Sequence, residues 1–397
     1  MTVRLRAWAD RIRRWATPVS SAGWVVIVLL FAGWVAGWRL GWLEGSWIAA
    51  CCGVVLLLAA IFLIGGHDVE VEVEVDPQRV TVGDPAGGVL RVRNSESRRL
   101  LPSRVELRVG RNTAVFDIPG LGGSDQHEEL FVLPTSRRQV IPVGPATSVR
   151  GDPLGLLRRA VERTEPVLLY VHPRIARLDN LGAGFLRDLE GQPTTDLSNN
   201  DVAFHTLREY QPGDDRRFVH WKTTARVGTL MIRQFVDTRR SHLALLLDTR
   251  PKGYRTPDEF ELAVSIAGSL GTRALLDEQD ITVMSGGGPL GAADGRHLLD
   301  SLAAVELESR GRDLIGQSVV VSRTASGVSI VVLLCGSEVA LSDCRAAANR
   351  FSESTRLFII RADLEGVTGV KPIGSATVLN VASLEEFPHL MWKVTQS

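Results

Sequence analysis

Two stretches near the start of the chain carry no charge, Trp15 to Trp38 and Gly45 to Gly66. A hydrocarbon layer about 30 Å thick is crossed by about 20 apolar residues at 1.5 Å rise each, so either run suffices for one span. Trp24, Trp34, Trp38, Trp42 and Trp47 fall where interfacial aromatic belts would lie. Both runs exceed a usual signal h-region and no small-residue cleavage site separates them. The predicted element is a transmembrane α-hairpin. The arginines of "RLRAWADRIRRW" ahead of it place the N-terminus in the cytoplasm, and two spans return the chain to that side.

The period then changes. Val69, Val71, Val73 and Val75 alternate with Glu70, Glu72, Glu74 and Asp76, the period of a strand with one apolar and one solvated face. Short runs of the same kind follow between Gly, Pro and Asn: "RVTVGD", "GGVLRVRN", "SRVELRVG", "TAVFDIPG", "HEELFVLP", "RQVIPVGP" and "PVLLYVHP". Strands at this spacing, with no helical period between them, predict an antiparallel β-sandwich of the immunoglobulin-like kind. From about 174 to 200 the chain is polar and glycine-containing, as a linker would be.

Beyond 240 strands and helices alternate. "HLALLLD" is continuously apolar, as a strand buried on both faces should be. In "TPDEFELAVSIAGSLGTRALLDEQ", Thr256, Pro257 and Glu259 suit N-cap, N1 and N3, and Phe260, Ala263, Ala267, Leu270 and Ala274 form one apolar stripe. "ITVMSGG", "VSIVVLLCG", "TRLFIIRA" and "SATVLNVAS" read as strands; "GRHLLDSLAAVEL" and "SDCRAAANRF" read as helices, and a short helix closes the chain. That order predicts a mainly parallel, doubly wound α/β sheet. The expected organisation is therefore 1–66 basic segment and two transmembrane helices, 67–173 β-sandwich, 174–240 linker and motif region, and 241–397 α/β domain.

Composition narrows function mainly by exclusion. Among 397 residues, 45 Lys and Arg balance 45 Asp and Glu, so the basic excess of a nucleic-acid binder is missing. No C-x-x-C, H-E-x-x-H, G-x-S-x-G or G-x-x-x-x-G-K-[ST] occurs, which removes the common zinc, nucleophile-elbow and phosphate-loop chemistries. Cys51 and Cys52 lie in the second apolar run, and Cys335 and Cys344 in the α/β part, a set that suggests no disulfide framework. "SGGGPLGAADG" (285–295) departs from G-x-G-x-x-G and reads as a mobile loop. The expectation is a protein that is not an enzyme and has no cofactor.

The carboxyl end of the first α/β strand, where open sheets usually bind ligands, reads Asp248-Thr249-Arg250-Pro251-Lys252. This domain resembles a von Willebrand factor A domain, whose first strand ends in D-x-S-x-S around a divalent cation. Asp248 matches the aspartate, but Arg250 and Lys252 replace both hydroxyl ligands with cations. A hard cation requires oxygen ligands and is repelled by adjacent positive charge. Asp248 is thus a degenerate cation-site position, expected to pair with Arg250 and to hold no metal.

The densest stretch is "LREYQPGDDRRFVHWKTTAR" (207–226). Gln211-Pro212-Gly213-Asp214 suits a type II turn, and Asp214 or Asp215 can cap a short helix that Gly228 terminates. On that helix Phe218, Trp221 and Ala225 would share a buried face. Three readings remain open: an Asp214, Asp215, His220 and Lys222 cluster of hydrolase type, a turn-helix with solvated charges, and a polar and aromatic docking surface. The stretch closely resembles the signature of the bacterial "domain of unknown function" family number 58, carried here by Arg208, Glu209, Tyr210, Pro212, Gly213, Asp214, Asp215, Arg216, Trp221, Lys222 and Arg226. The likeness extends to "DPLGLLRRAVE", "HPRI", "HLALLLDTR" and "DEFELAVSIAGSL".

That resemblance implies a multi-pass cell-membrane protein with a β-sandwich and an A-like domain. It implies a MoxR-type AAA+ ATPase and a transglutaminase-like membrane protein as partners, and a chaperone-like or assembly role. The leading expectation is a membrane-anchored, non-enzymatic adaptor; the alternatives are a membrane-bound hydrolase using Asp214, Asp215 and His220, or a ligand-sensing A-like domain. Reporter fusions test the topology: a fluorescent protein at either terminus is expected to light up, and an exported phosphatase at either terminus to stay inactive.

Overall fold

Strict alternation and continuous apolar runs end up in different sheets in the computed structural model, which describes residues 19–63, 69–97, 99–100, 102–179, 202–211, 216–237, 242–374 and 376–396. Two compact units divide the chain, Met1–Val171 and His172–Ser397.

The first unit opens with two antiparallel-connected helices, α1 (Ser21–Leu40) and α2 (Leu43–Leu63), each long and apolar enough to cross a membrane. The side chain of Ser20 caps α1 by accepting from the Gly23 N–H, and Gly41 ends it in the left-handed region that glycine adopts without steric cost (φ 68°). Large apolar side chains are exposed along both helices, among them Phe31, Trp34, Trp38, Trp47 and Leu57, and Trp42 is exposed in the connection between them. The helices meet through small residues: a Cβ on Gly33 would lie 2.7 Å from the Gly45 carbonyl oxygen, so only glycine permits that approach. Ser20 N–H donates to the Leu156 carbonyl (2.9 Å), and Val19 bridges Leu157, which fastens the start of α1 to a turn of the β-rich layer. A side chain at Gly23 would collide with the same Leu156 carbonyl.

That layer comprises β1 (Val69–Asp76), β2 (Arg79–Thr81), β3 (Ala86–Asn94), β4 (Ser103–Val109), β5 (Asn112–Ile118), β6 (Gln126–Leu133), β7 (Gln139–Gly151), β8 (Arg158–Glu162) and β9 (Val167–His172). One sheet runs β1-β3-β6 and the other β2-β9-β7-β4-β5, with β8 on β7. The valines of β1 face inward because the period is two, and Val71, Leu90, Val92, Val105, Leu107, Val143 and Leu169 from both sheets share one core. Each predicted strand is present; β8 was not anticipated.

The second unit holds a hairpin, β10 (Val202–Glu209) and β11 (Met231–Asp237), with a short helix α3 (Trp221–Val227) between its strands. It also holds a seven-stranded sheet made of β12 (His242–Leu247), β13 (Asp280–Ser285), β14 (Gly288–Leu290), β15 (Val328–Gly336), β16 (Arg356–Ala362), β17 (Gly369–Ile373) and β18 (Ala376–Val381). The order is β14-β13-β12-β15-β16-β18-β17, parallel except for the two edge strands.

Helices α4 (Pro257–Leu276), α5 (Gly295–Ala304) and α8 (Phe387–Gln396) contribute to the core on one face, and α6 (Leu314–Thr324) and α7 (Leu341–Ala348) to that on the other. Strand β12 shows why its sequence is continuously apolar: Leu243, Leu245 and Leu247 enter the first core, while Ala244 and Leu246 enter the second. Leu178, from the segment after β9, also packs in the first core, and Ala176 N–H donates to Ser269 Oγ on α4.

Helix α4 begins as its cap residues predict. Thr256 Oγ1 accepts from Glu259 N–H, with Pro257 at the first helical position. Glu259, buried, reaches back to the Arg255 N–H (2.8 Å) and accepts from Ser337 Oγ. Two expectations need correction. The glycine-rich stretch from Ser285 is a tight hairpin between β13 and β14, not a mobile loop, because Ser285 and Gly288 close the turn as ladder partners. Helix α6 was not anticipated: its β-branched run disguises it, although Asp313 caps it by accepting from Gly316 N–H.

Leu246 is fully buried in the core that also holds Cys335 and Cys344. In a Cys51→Ser/Cys52→Ser background, Leu246→Ala should cost about 2–5 kcal/mol. Labelling of Cys335 and Cys344 by a thiol reagent should then accelerate at least about tenfold, since it reports opening of this core.

Candidate functional site

Two places were singled out by sequence, the signature hairpin and the end of β12. In the hairpin, β10 pairs antiparallel with β11, with a register shift between Phe204 and Thr206. Tyr210 N–H donates to Leu230 O (2.8 Å) and His220 N–H to Met231 O (2.8 Å), which ties both Tyr210 and His220 to the start of β11. A single 3-10 turn spans Arg216–Phe218, and Val219 then bridges Ile232. Among the described side chains of this small module, Val219 and Ile232 are buried.

The helix that follows is shorter than expected. His220, not an aspartate, caps α3: its Nδ1 accepts from Thr223 N–H (3.3 Å) and lies 2.7 Å from Thr223 Oγ1. Gly228 ends α3 in the left-handed region (φ 80°), donating to Thr224 O. Met231 N–H donates to Thr224 Oγ1, locking the helix to the start of β11. The expected turn and capping residues, Pro212, Gly213, Asp214 and Asp215, lie outside the described residues, and with them the expected Asp214–Asp215–His220 cluster.

The buried face expected for Phe218, Trp221 and Ala225 is not formed. Trp221 is 68% exposed and Ala225 is exposed, because the burial is carried by Val219 and Ile232 at the strand pairing instead. Lys222, Arg226, Val227 and Leu230 are exposed beside Trp221. Among the described residues Lys222 and Arg226 have no carboxylate within ion-pair distance. They stand four apart on one helix, where like charges oppose each other by about 0.2–0.5 kcal/mol. Arg208 Nη1 donates to Glu209 O, holding that cation along the end of β10. The signature thus presents, on α3 and just after it, an unburied indole, two cations with no carboxylate partner among the described residues, and the exposed aliphatics Val227 and Leu230.

At the end of β12 the arrangement is closed. Asp248 is fully buried, and Arg250 grips it with two parallel bonds, Nε to Oδ1 (3.0 Å) and Nη2 to Oδ2 (2.9 Å), while Arg250 N–H adds a third to Oδ1. The hydrogen bonds to Asp248 hold the guanidinium above its ordinary value. Asp313, at the start of α6, lies 3.9 Å from Arg250 on its outer side. Tyr254, also buried, donates its hydroxyl to the Asp248 carbonyl; burial, then the Asp248 charge, keeps that phenol well above the ordinary tyrosine range and hence protonated.

Strand order reverses at β12, between β13 on one side and β15 on the other, so this is the crevice where open sheets bind ligands. Here the chain fills it. The Pro251–Gly253 turn lies against Gly336 at the end of β15 so closely that a Cβ on Gly336 would collide with Gly253 O and the Tyr254 ring. Lys252, the second replacement in the D-x-S-x-S pattern, sits exposed on that turn. Sequence reading missed the neighbouring Gln317, fully buried, whose Nε2 donates to Leu247 O and Arg312 O. A glutamine in an apolar helical run was the available signal. No three His, Cys, Asp or Glu side chains converge as a metal site among the described residues.

Removing the cation should expose what it neutralises. Arg250→Ala leaves a buried carboxylate unpaired and should cost about 3 kcal/mol, the low end for a broken buried pair because the guanidinium is partly solvated. Thiol labelling of Cys335 and Cys344 should accelerate about 100-fold, and adding Asp248→Asn should return part of the loss.

Comparisons with known proteins give the following. "Uncharacterized protein YeaD" of Bacillus subtilis (strain 168) is 31% identical over 122 residues, which are 30% of this chain and 29% of that protein; the match therefore spans under a third of the relative's length. Among solved structures, the CARDB domain of the PF1109 protein from Pyrococcus furiosus is 14% identical, covering 26% of this chain and 86% of its own, with a TM-score of 0.21. A putative cell surface protein domain from Methanosarcina acetivorans is 13% identical, covering 26% and 91%, also with a TM-score of 0.21. Those scores carry no argument about this chain. The family model described as "Protein of unknown function DUF58" matches residues 206–352, from the signature hairpin through α7.

Proposed function

We propose that this chain is a DUF58-family adaptor of the cell membrane that does no chemistry of its own. Two spans anchor it, its α/β domain is of the von Willebrand A type with the cation position taken over by Arg250, and it docks a MoxR-type AAA+ ATPase through the hairpin 202–237. A transglutaminase-like membrane protein is the second partner in this reading.

The observation that carries it is the surface of α3 and the turn that follows it. Trp221 is 68% exposed, Val227 58% and Leu230 43%, with Lys222 and Arg226 between them. Indole and guanidinium groups are the side chains most often found at binding hot spots. A protein that only needed the hairpin to fold would bury the tryptophan and would not place like charges at i and i+4. Sequence positions that break local rules in this way are usually functional. Two further features agree with a binding role: His220 is engaged as a helix cap, and the ligand crevice of the sheet is filled by Arg250 and Tyr254.

The test uses the detergent-solubilised full chain and a purified MoxR-type ATPase. Capture is expected in at least one of the ATP and ADP states, and the variant Trp221→Ala/Lys222→Glu/Arg226→Glu should weaken it at least about tenfold. Those three side chains are exposed, so the variant should retain the wild-type thiol-labelling rate. No capture in either nucleotide state, or capture indifferent to the triple change, would sink the proposal.

A further inference from the structure

Strand β1 ends its sheet: β3 pairs with one edge, and among the described residues no strand pairs with the other. Along β1 runs a groove of about 820 Å³, lined by six consecutive residues of that strand, Val71 to Asp76, by Gln78, Thr164 and Val167, and by Arg91 of β3, whose charge is taken up by Glu74 and Glu128. Six strand residues at about 3.3 Å each make it about 20 Å long, the length of an ordinary strand. Half of the backbone N–H and C=O groups of an edge strand point away from its partner, which makes such an edge a template for one more strand.

The solvent face of this sheet alternates in charge from strand to strand. Glu128 on β6 stands opposite Arg91 on β3, and Arg91 stands opposite Glu72 on β1. Arg91 bonds to Glu128 Oε1 (3.0 Å) and to Glu74 Oε2 (2.6 Å), so one base joins the two acidic strands. Arg93 stands opposite Glu70 in the same way. Glu70, Glu72 and Asp76 are exposed and, among the described residues, have no ion-pair partner. The next strand in the series acid, base, acid would be basic. Cross-strand pairs of opposite charge stabilise a sheet, and like charges directly opposite each other destabilise it. The same carboxylates therefore repel the β1 edge of a second copy.

We infer that the free edge of β1 is a strand-addition site for an extended partner segment with Lys or Arg at alternate positions and β-branched residues between them. The partner's cations lie beside Glu70, Glu72 and Asp76 on the solvent face. Its apolar side chains continue the inner face beside Val71, Val73 and Val75, where Val73 is only partly covered. Backbone pairing supplies much of the affinity in this mode and side-chain alternation supplies the selectivity. β1 belongs to the first unit and α3 to the second, and the two proposals can fail independently.

The experiment titrates the detergent-solubilised full chain with a fluorescent peptide Lys-Val-Lys-Thr-Lys-Val-Lys and with a peptide of the same composition in blocks. The alternating peptide should bind at least tenfold more tightly than the blocked one. Glu70→Lys/Glu72→Lys/Asp76→Lys should weaken it at least tenfold, and Glu70→Gln/Glu72→Gln/Asp76→Asn should weaken it less but measurably. The Trp221→Ala/Lys222→Glu/Arg226→Glu variant should bind it as the wild type does, which separates this site from the ATPase reading. Backbone amides of β1 should exchange more slowly with the peptide bound. Equal affinity for the blocked peptide, indifference to charge reversal, or unchanged exchange in β1 would each overturn the inference.

Discussion

A carboxylate out of reach of solvent has to be met by donors or by a cation; in the α/β unit Glu259 is met by a backbone N–H and a hydroxyl, and Asp248 by a cation. Burying an isolated charge is unfavourable enough that the group would shed it unless a cation lay in contact. Arg250 lies two residues away and reaches back with a bidentate grip, which shapes the turn at Pro251–Gly253. That turn brings Tyr254 under the Asp248 carbonyl and sets Gly253 against Gly336. The close approach of the Pro251–Gly253 turn to the end of β15 thus goes with one ion pair. The crevice that the strand order would open is closed by the chain's own side chains.

The signature hairpin follows a different logic. Its stability comes from strand pairing, the Val219–Ile232 contact and two helix caps, and none of these involves the most conspicuous side chains. Trp221, Lys222 and Arg226 are left over from the folding problem. In the β-rich unit the corresponding surplus is on β1, whose valines are committed to the core and whose carboxylates outnumber the bases opposite them. Both surpluses are charged, of opposite sign, and on surfaces with an incomplete backbone or apolar complement.

Much of the architecture was legible because burial imposes periodicity. The valine–glutamate alternation after Val69 could only be a half-buried strand, and Leu243 to Leu247 could only be buried on both faces. The Thr256–Pro257–Glu259 start of α4 was legible because those side chains satisfy backbone donors locally. What was not legible depended on tertiary partners. Strand β10 needs β11 to exist, and α6 carries three consecutive valines whose helical state is decided by packing. Trp221 misled because an indole in a helical pattern usually marks a buried face, and here the strands had already provided one. The Asp248–Arg250 pair was readable from charge and spacing alone; that Tyr254 and Gly336 seal the same crevice required the fold.

The link between α1 and the β-rich layer carries a mechanical consequence. Ser20 is bonded to Leu156 through backbone atoms, and Gly23 lies so close to the same carbonyl that the first turn of α1 has no play against the turn it touches. The helix pair is itself held together at Gly33 and Gly45 by backbone proximity. Tilt or rotation of the apolar hairpin therefore acts on the β-rich layer as on the arm of a lever, with little lost in a hinge. Anything that changes the inclination of those two helices is felt directly at the strands beyond them.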